Sequence, residues 1–164
     1  MDSMSFSAFA PPTNSVPDDQ QIVENDGWFP AIHLSDLREA ARLDGTVTDA
    51  RLTPAVVTAM LAVNQALAEW QARQRINGWS DLASVPAPTI NRESQYLAHY
   101  RRAVYSTTKA DLLEKYRDYD STASSMSDKK AMEWLDTAPE QERRNAHWAI
   151  ANILQQPHMT VELI

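Results

Sequence analysis

A mainly α-helical protein, folded as a small bundle around one long central helix, is what this chain predicts. The first reason is composition: three glycines among 164 residues, and few β-branched runs, argue against a sandwich or a barrel. The second is periodicity, since TPAVVTAMLAVNQALAEWQARQR carries Val56, Met60, Val63, Leu67 and Trp70 at alternating spacings of four and three. The third is the stretch from Asn91 to Asp120, the longest with helical character and neither Gly nor Pro inside it. At 1.5 Å per residue it would reach about 45 Å, so one face must be buried.

Taken in order, residues 1–27 contain Pro11, Pro12 and Pro17, several Ser and Asn, and an acidic patch at Asp18, Asp19, Glu24 and Asp26. They lack the apolar content to fold alone and are expected to form an extended arm. Phe6 and Phe9 give that arm two anchors for a neighbour's pocket.

Trp28 and Phe29 open the folded part. In HLSDLREAARLDG, Ser35 is placed to cap a short helix and Gly45 to end it. Thr53, with Pro54 at the first helical position, starts a stronger helix that Gly78 terminates. A connection broken by prolines, GWSDLASVPAPTI, then returns the chain to Asn91.

Asn91 is a suitable N-cap for the central helix, and Glu93 then sits near the positive end of its dipole. Its apolar stripe reads Leu97, Val104, Tyr105, Thr108, Leu112, Tyr116 and Tyr119. Arg101, Asp111 and Lys115 lie on or beside the same stripe. Either their stems cover the core while their heads reach water, or this part of the helix faces another chain.

STASSMSDKK reads as an exposed loop. Thr137, with Glu140 three residues on, makes a capping box for a last helix whose buried stripe is Ala146, Ala149, Ile150, Ile153 and Leu154. Pro157 stops it, and HMTVELI alternates as a short strand. Nothing else in the sequence is a convincing strand to pair with it, so its backbone is a template for addition to another chain. Each hydrogen bond is worth only about 1 kcal/mol, yet many subunits in a ring would hold through avidity. The organisation is therefore an arm over 1–27, a helical domain over 28–157 and a strand tail over 158–164.

The chemistry is sparse. With no cysteine, disulfides and thiolate metal sites are excluded, and a reducing compartment suits the chain. No run approaches the roughly 20 apolar residues of a membrane span, and the N-terminus has no signal-peptide pattern, which points to the cytoplasm. His33, His99, His147 and His158 match no metal spacing, and no phosphate loop, dinucleotide fingerprint or nucleophile elbow occurs. No enzyme and no cofactor are expected. The basic groups Arg101, Arg102, Lys109 and Arg143, Arg144 sit among acids, Asp111 and Lys115 are spaced as an i,i+4 pair, and Asp118 with Asp120 reads as a solvated helix end. A net charge of −7 opposes tight capture of nucleic acid.

Three blocks, LDGTVTDARL at 43–52, YRRAVYSTTKADLLEKYRDYD at 100–120 and WAIANILQQPHMTVELI at 148–164, resemble the head completion (head stabilisation) proteins of Peduovirus-type contractile-tailed bacteriophages. The likeness runs from about Trp28 to Ile164. It implies a structural adaptor in the neck of the virion, assembled in the host cytoplasm. Such a protein joins the portal vertex after DNA packaging, stabilises the filled head and gives the tail its platform. The implied partners are the portal protein, neighbouring copies in a dodecameric ring, tail terminator or completion proteins, and passing double-stranded DNA bound without sequence specificity. On that reading Met159, Thr160, Val161, Glu162, Leu163 and Ile164 engage the portal, while Arg101, Asp111, Lys115, Phe6 and Phe9 are candidates for contacts between subunits. A DNA-binding packaging factor of small-terminase type is the competing expectation, against which the acidic charge and the lack of a basic recognition helix argue.

Overall fold

The computed structural model describes residues 21–120 and 138–158, apart from the side chains of residues 118–120. Three long helices dominate: α2 (Asp49–Ile76), α3 (Gln95–Asp120) and α4 (Pro139–Leu154). A short helix, α1 (Leu34–Ala41), a 3-10 turn (Leu82–Ser84) and two minimal hairpins complete the described residues. The hairpin strands are β1 (Ile22–Val23) with β2 (Ile32–His33), and β3 (Thr89–Ile90) with β4 (Glu93–Ser94), both antiparallel.

Helix α3 lies at the centre. Its residues meet α2 in antiparallel order, Tyr100 beside Asn64 and Tyr116 beside Arg51, and meet α4 likewise, Lys109 beside Glu142 and Tyr96 beside Gln155. Being packed on several sides, α3 buries more than one stripe. Val104, Thr108 and Leu112 are buried as expected, but Tyr96, Tyr100, Ala103, Ala110 and Leu113 are buried too. Thr108 is tolerated in this core because its hydroxyl donates to the carbonyl of Val104 at 2.8 Å. By contrast α2 has one core face, and Val56, Met60, Val63, Leu67 and Trp70 are all buried on it. On α4 the buried set includes Ala146, Ala149 and Ile153, with Ile150 and Leu154 partly covered.

Several boundaries differ from the expectation. Asn91 does not cap α3. With Arg92 it forms the tip of the β3–β4 hairpin at φ of 51° and 64°, the two left-handed positions of a type I′ turn. The tolerance of Asn for that region outweighs its capping tendency here, and α3 begins four residues later. Helix α2 starts at Asp49 rather than at Thr53, because the amides of Arg51 and Leu52 both reach the Thr48 carbonyl. Pro54 therefore stands inside the helix and leaves the Ala50 carbonyl without its usual donor. At α1 the N-cap position is His33, while Ser35 turns its hydroxyl to Asp36. At α4 it is Ala138, followed by Pro139, and not Thr137.

The helix ends share one solution. Gly78, at φ +93°, closes α2 with amides of Gly78 and Trp79 returning to the carbonyls of Arg75 and Gln74, a Schellman motif. The same bond pattern closes α1 at Arg42 (φ 56°) and α4 at Gln155 (φ 55°), so α1 ends at Ala41 and not at Gly45.

Residues 21–27, counted from the sequence with the arm, already belong to the fold: β1 pairs with β2 and Val23 is buried. Their attachment is mostly polar. Asn25 Nδ2 donates to the Tyr100 hydroxyl at 2.7 Å, that hydroxyl donates to Asn64 Oδ1 at 2.6 Å, and Asn64 Nδ2 donates back to Asn25 Oδ1 at 2.9 Å. The three side chains form a closed ring of hydrogen bonds. Next to it, Asp26 Oδ1 accepts the amides of Trp28 and Phe29, both at 2.9 Å. Phe29 then stacks on Tyr100 at 4.8 Å, and Trp28 meets both Phe29 and Trp70 edge to face.

Candidate interaction surfaces

Of the residues singled out for contacts, Phe6, Phe9 and Met159 to Ile164 lie outside the described residues. The three on α3 are placed, and they do not form one cluster. Arg101 pairs with Glu93 across the α3 side of the β4 hairpin. Asp111 faces α4 and pairs with Arg143 at 3.6 Å, not with Lys115. Arg143 is shared, since it also donates to Glu114 Oε2 at 2.6 Å. That hydrogen bond holds the Glu114 carboxyl below its ordinary range and the Arg143 guanidinium above its own. Lys115 is exposed and has no ion-pair partner among the described residues.

The remaining basic residues separate as well. Arg102 is exposed, whereas Lys109 is buried and pairs with Glu142 at 3.5 Å, with 11% and 12% of the side chains accessible. A pair so far removed from water ties α3 to α4 at a fixed register; removing one partner would strand the other. The described residues thus offer no continuous basic strip for a nucleic acid backbone. Among the described residues no three His, Asp or Glu side chains gather as a metal site. His99 is shifted down by burial and by nearby Arg102, and His158 stacks on Trp148 at 5.3 Å with Asn152 Oδ1 2.7 Å from its Nε2. The chain leaving α4 therefore begins by folding over the last turns of that helix.

One surface was missed by reasoning from periodicity. The outward side of α2 carries no charged residue from Thr53 through Ala68, although Pro54, Val57, Thr58, Leu61, Ala62, Gln65, Ala66 and Ala68 are exposed there. Val57 is 41% and Leu61 66% exposed, which is unusual for large apolar side chains on a helix in an otherwise charged protein. The absence of charge in TPAVVTAMLAVNQALA was available as a signal, but attention to the buried stripe passed over it. Two hollows flank this surface. One, of about 200 Å³, lies between Glu24–Asp26 and Val57, Met60, Leu61 and Asn64. The other, of about 420 Å³, is lined by Ala50, Arg51, Pro54, Leu112, Lys115 and Tyr116. Ile90, 69% exposed beside the Asn91–Arg92 tip, and Ile76, 84% exposed at the end of α2, are further apolar points.

A helical bundle with an uncharged exposed face on α2 and ion pairs that fix the register of its helices has the make-up of an assembly component. Residues 23–164 match the family model described as phage head completion protein (GPL), and the chain belongs to that family. It is 36% identical over 146 residues to the head completion/stabilization protein of Escherichia phage P2, a span covering 89% of this chain and 85% of that one. A probable head completion/stabilization protein of Haemophilus phage HP1 (strain HP1c1) is 22% identical over 98 residues, 60% of this chain and 65% of the relative. No solved structure matches. The chain is therefore a structural head completion and stabilisation protein of a phage, and a component of the virion.

Proposed function

We propose that the protein is the adaptor that docks on the portal vertex once DNA is packaged, stabilises the filled head and presents the platform to which the tail attaches. The observation that carries this reading is that the family match runs through residue 164 and so takes in the alternating HMTVELI ending. Helix α4 closes at Gln155, and Pro157 keeps the chain that follows from resuming the helix, so that its backbone can pair with another chain. Met159 to Ile164 engage the portal protein by strand addition, with Met159, Val161 and Leu163 on one side of the strand. Copies arrange as a ring, dodecameric to match the portal, in which avidity multiplies a weak single contact. Arg101, Asp111 and Lys115 on α3, and Phe6 and Phe9 on the arm, meet neighbouring copies. The net charge of −7 lets double-stranded DNA pass without adhering. Tail terminator or completion proteins bind the outward side.

The test is removal of residues 159–164 followed by measurement of binding to portal-containing heads. Loss of binding with an unchanged melting curve is the expected result; full retention would remove the strand from the mechanism. The competing reading, a DNA-binding packaging factor, would require strong duplex binding at physiological salt.

A further inference from the structure

The outward side of α2 has the spacing of a helix-packing seam. At about 100° per residue, Ala50, Pro54, Val57, Leu61, Gln65 and Ala68 follow one another in steps of four and three and fall within an arc of about 80°. All six are exposed and none is charged. The charges that border the stripe on α2 are Arg51, near its start, and Glu69, just past its end. Eighteen residues separate these two, about five full turns, so both stand on the same flank of the stripe. The Arg51 guanidinium lies over the Tyr116 ring, 5.7 Å from its centroid, and Glu69 has no ion-pair partner among the described residues.

This layout is complementary to itself. A two-fold axis crossing α2 at the level of Met60 sets Arg51 of each copy level with Glu69 of the other, on the same side of the pair. The same axis brings Ala50 to Ala68, Pro54 to Gln65 and Val57 to Leu61, so the large exposed apolar side chains of the stripe cover each other at the centre. A parallel pairing would instead set Arg51 against Arg51 and Glu69 against Glu69. Glu24, across the smaller hollow from Leu61, comes toward its own counterpart and works against the contact. The contact is also small. From Ala50 to Ala68 the helix runs about 27 Å, and a stripe about 10 Å wide covers roughly 270 Å² of each copy. Two such faces bury about 540 Å², below the roughly 1,200 Å² of stable complexes, so the pairing is weak.

We propose that two copies of the free protein pair antiparallel through this face of α2. The contact is isologous and closes at two, so it cannot propagate a ring. It covers the uncharged face in copies that stand free of a particle, and it does not depend on how the chain binds a head.

Sedimentation equilibrium of the full-length chain from about 10 µM to about 1 mM tests this, with a dimer expected at a dissociation constant of about 0.1 mM. Leu61→Glu, which brings two carboxylates near the axis, should abolish the dimer over that range. Arg51→Glu and Glu69→Arg should each weaken it about tenfold, because both ion-pair sites become like-charge contacts, and combining them should return it to within about threefold of wild type. Arg51, Leu61 and Glu69 are all exposed, and an unchanged melting temperature of each variant confirms that the fold is intact. A chain that stays monomeric throughout, association indifferent to Leu61→Glu, a double variant no better than the single ones, or a mass that climbs past two copies would each overturn the proposal. The last would assign the face to successive copies in a larger assembly.

Discussion

Replacing Tyr100 with Phe isolates the hydrogen-bonded ring that fastens the leading segment to the bundle. The ring carbon skeleton is fully buried and stacks on Phe29 at 10° between planes, and Phe preserves both its volume and that stacking. What disappears is one hydroxyl that accepts from Asn25 and donates to Asn64. Asn25 Nδ2 keeps a second acceptor in the Pro30 carbonyl at 2.9 Å, whereas Asn64 Oδ1 loses its donor in a half-buried setting. Two net hydrogen bonds at about 1 kcal/mol each, plus part of the desolvation of the stranded amide oxygen, give a loss of roughly 2–3 kcal/mol. For a chain of this size that corresponds to about 5–10 °C in melting temperature. Urea unfolding followed by circular dichroism gives the free energy, and a cycle with Asn64→Leu separates the pair. The double variant should cost less than the sum of the singles, by about 1 kcal/mol or more, because Leu removes the group that Phe would leave unpaired. A loss below about 0.5 kcal/mol for Tyr100→Phe, or strict additivity in the cycle, would mean that the ring does not hold this segment.

Three further expectations follow from the same geometry. Arg42→Gly should stabilise the protein by about 1 kcal/mol, since Arg42 closes α1 at φ 56°, where glycine carries no side-chain penalty; thermal unfolding that shows a loss would contradict the cap assignment. Lys109→Met should cost about 3–5 kcal/mol by leaving Glu142 buried without its cation, and Glu142→Leu on top should recover much of it; denaturant midpoints of the single and double variants decide. Burial acts to raise the Asp26 carboxyl, but hydrogen bonds from the Phe29 amide, Gln71 and the Trp28 amide, with the charge of Arg75, outweigh it and the net shift is downward. A carboxyl lowered on folding adds stability that is present above its unfolded pKa and fades as pH falls through the folded one. The stability gap between wild type and Asp26→Asn should therefore shrink as pH is taken from 6 to about 3, and a gap constant over that range, measured by unfolding at each pH, would discount the carboxylate.

How much of this could be seen in the sequence depended on how many sides each helix buries. Helix α2 has one core face, and Val56, Met60, Val63, Leu67 and Trp70 announced it by spacing alone. Helix α3 is enclosed by α1, α2 and α4, so a single stripe describes it poorly, and Tyr100 and Leu113 fell outside the chosen one. Asn91 misled because the short amide side chain that favours a helix cap favours a left-handed turn equally well. The ring of Asn25, Asn64 and Tyr100 joins residues 36, 39 and 75 positions apart, and no local pattern links them. The ion pairs were half visible: Asp111 was recognised as a partner, but its cation came from α4 and not from the next turn of its own helix. For the surfaces, the uncharged run in α2 was written plainly in the sequence, and its outward direction became clear only once Leu52, Val56 and Val63 were seen to occupy the core.

The paired attachment at Asn25 and Asp26 also sets where load enters the molecule. A tension applied through the arm meets first the two-residue pairing of β1 with β2, which is too short to bear much. It then reaches side chains gripping α2 at Asn64 and Gln71 and α3 at Tyr100. Because the leading segment lies alongside α2, such a pull shears several polar contacts together in place of peeling them singly. A pull on the leading segment is thereby a pull on the helical bundle as a whole.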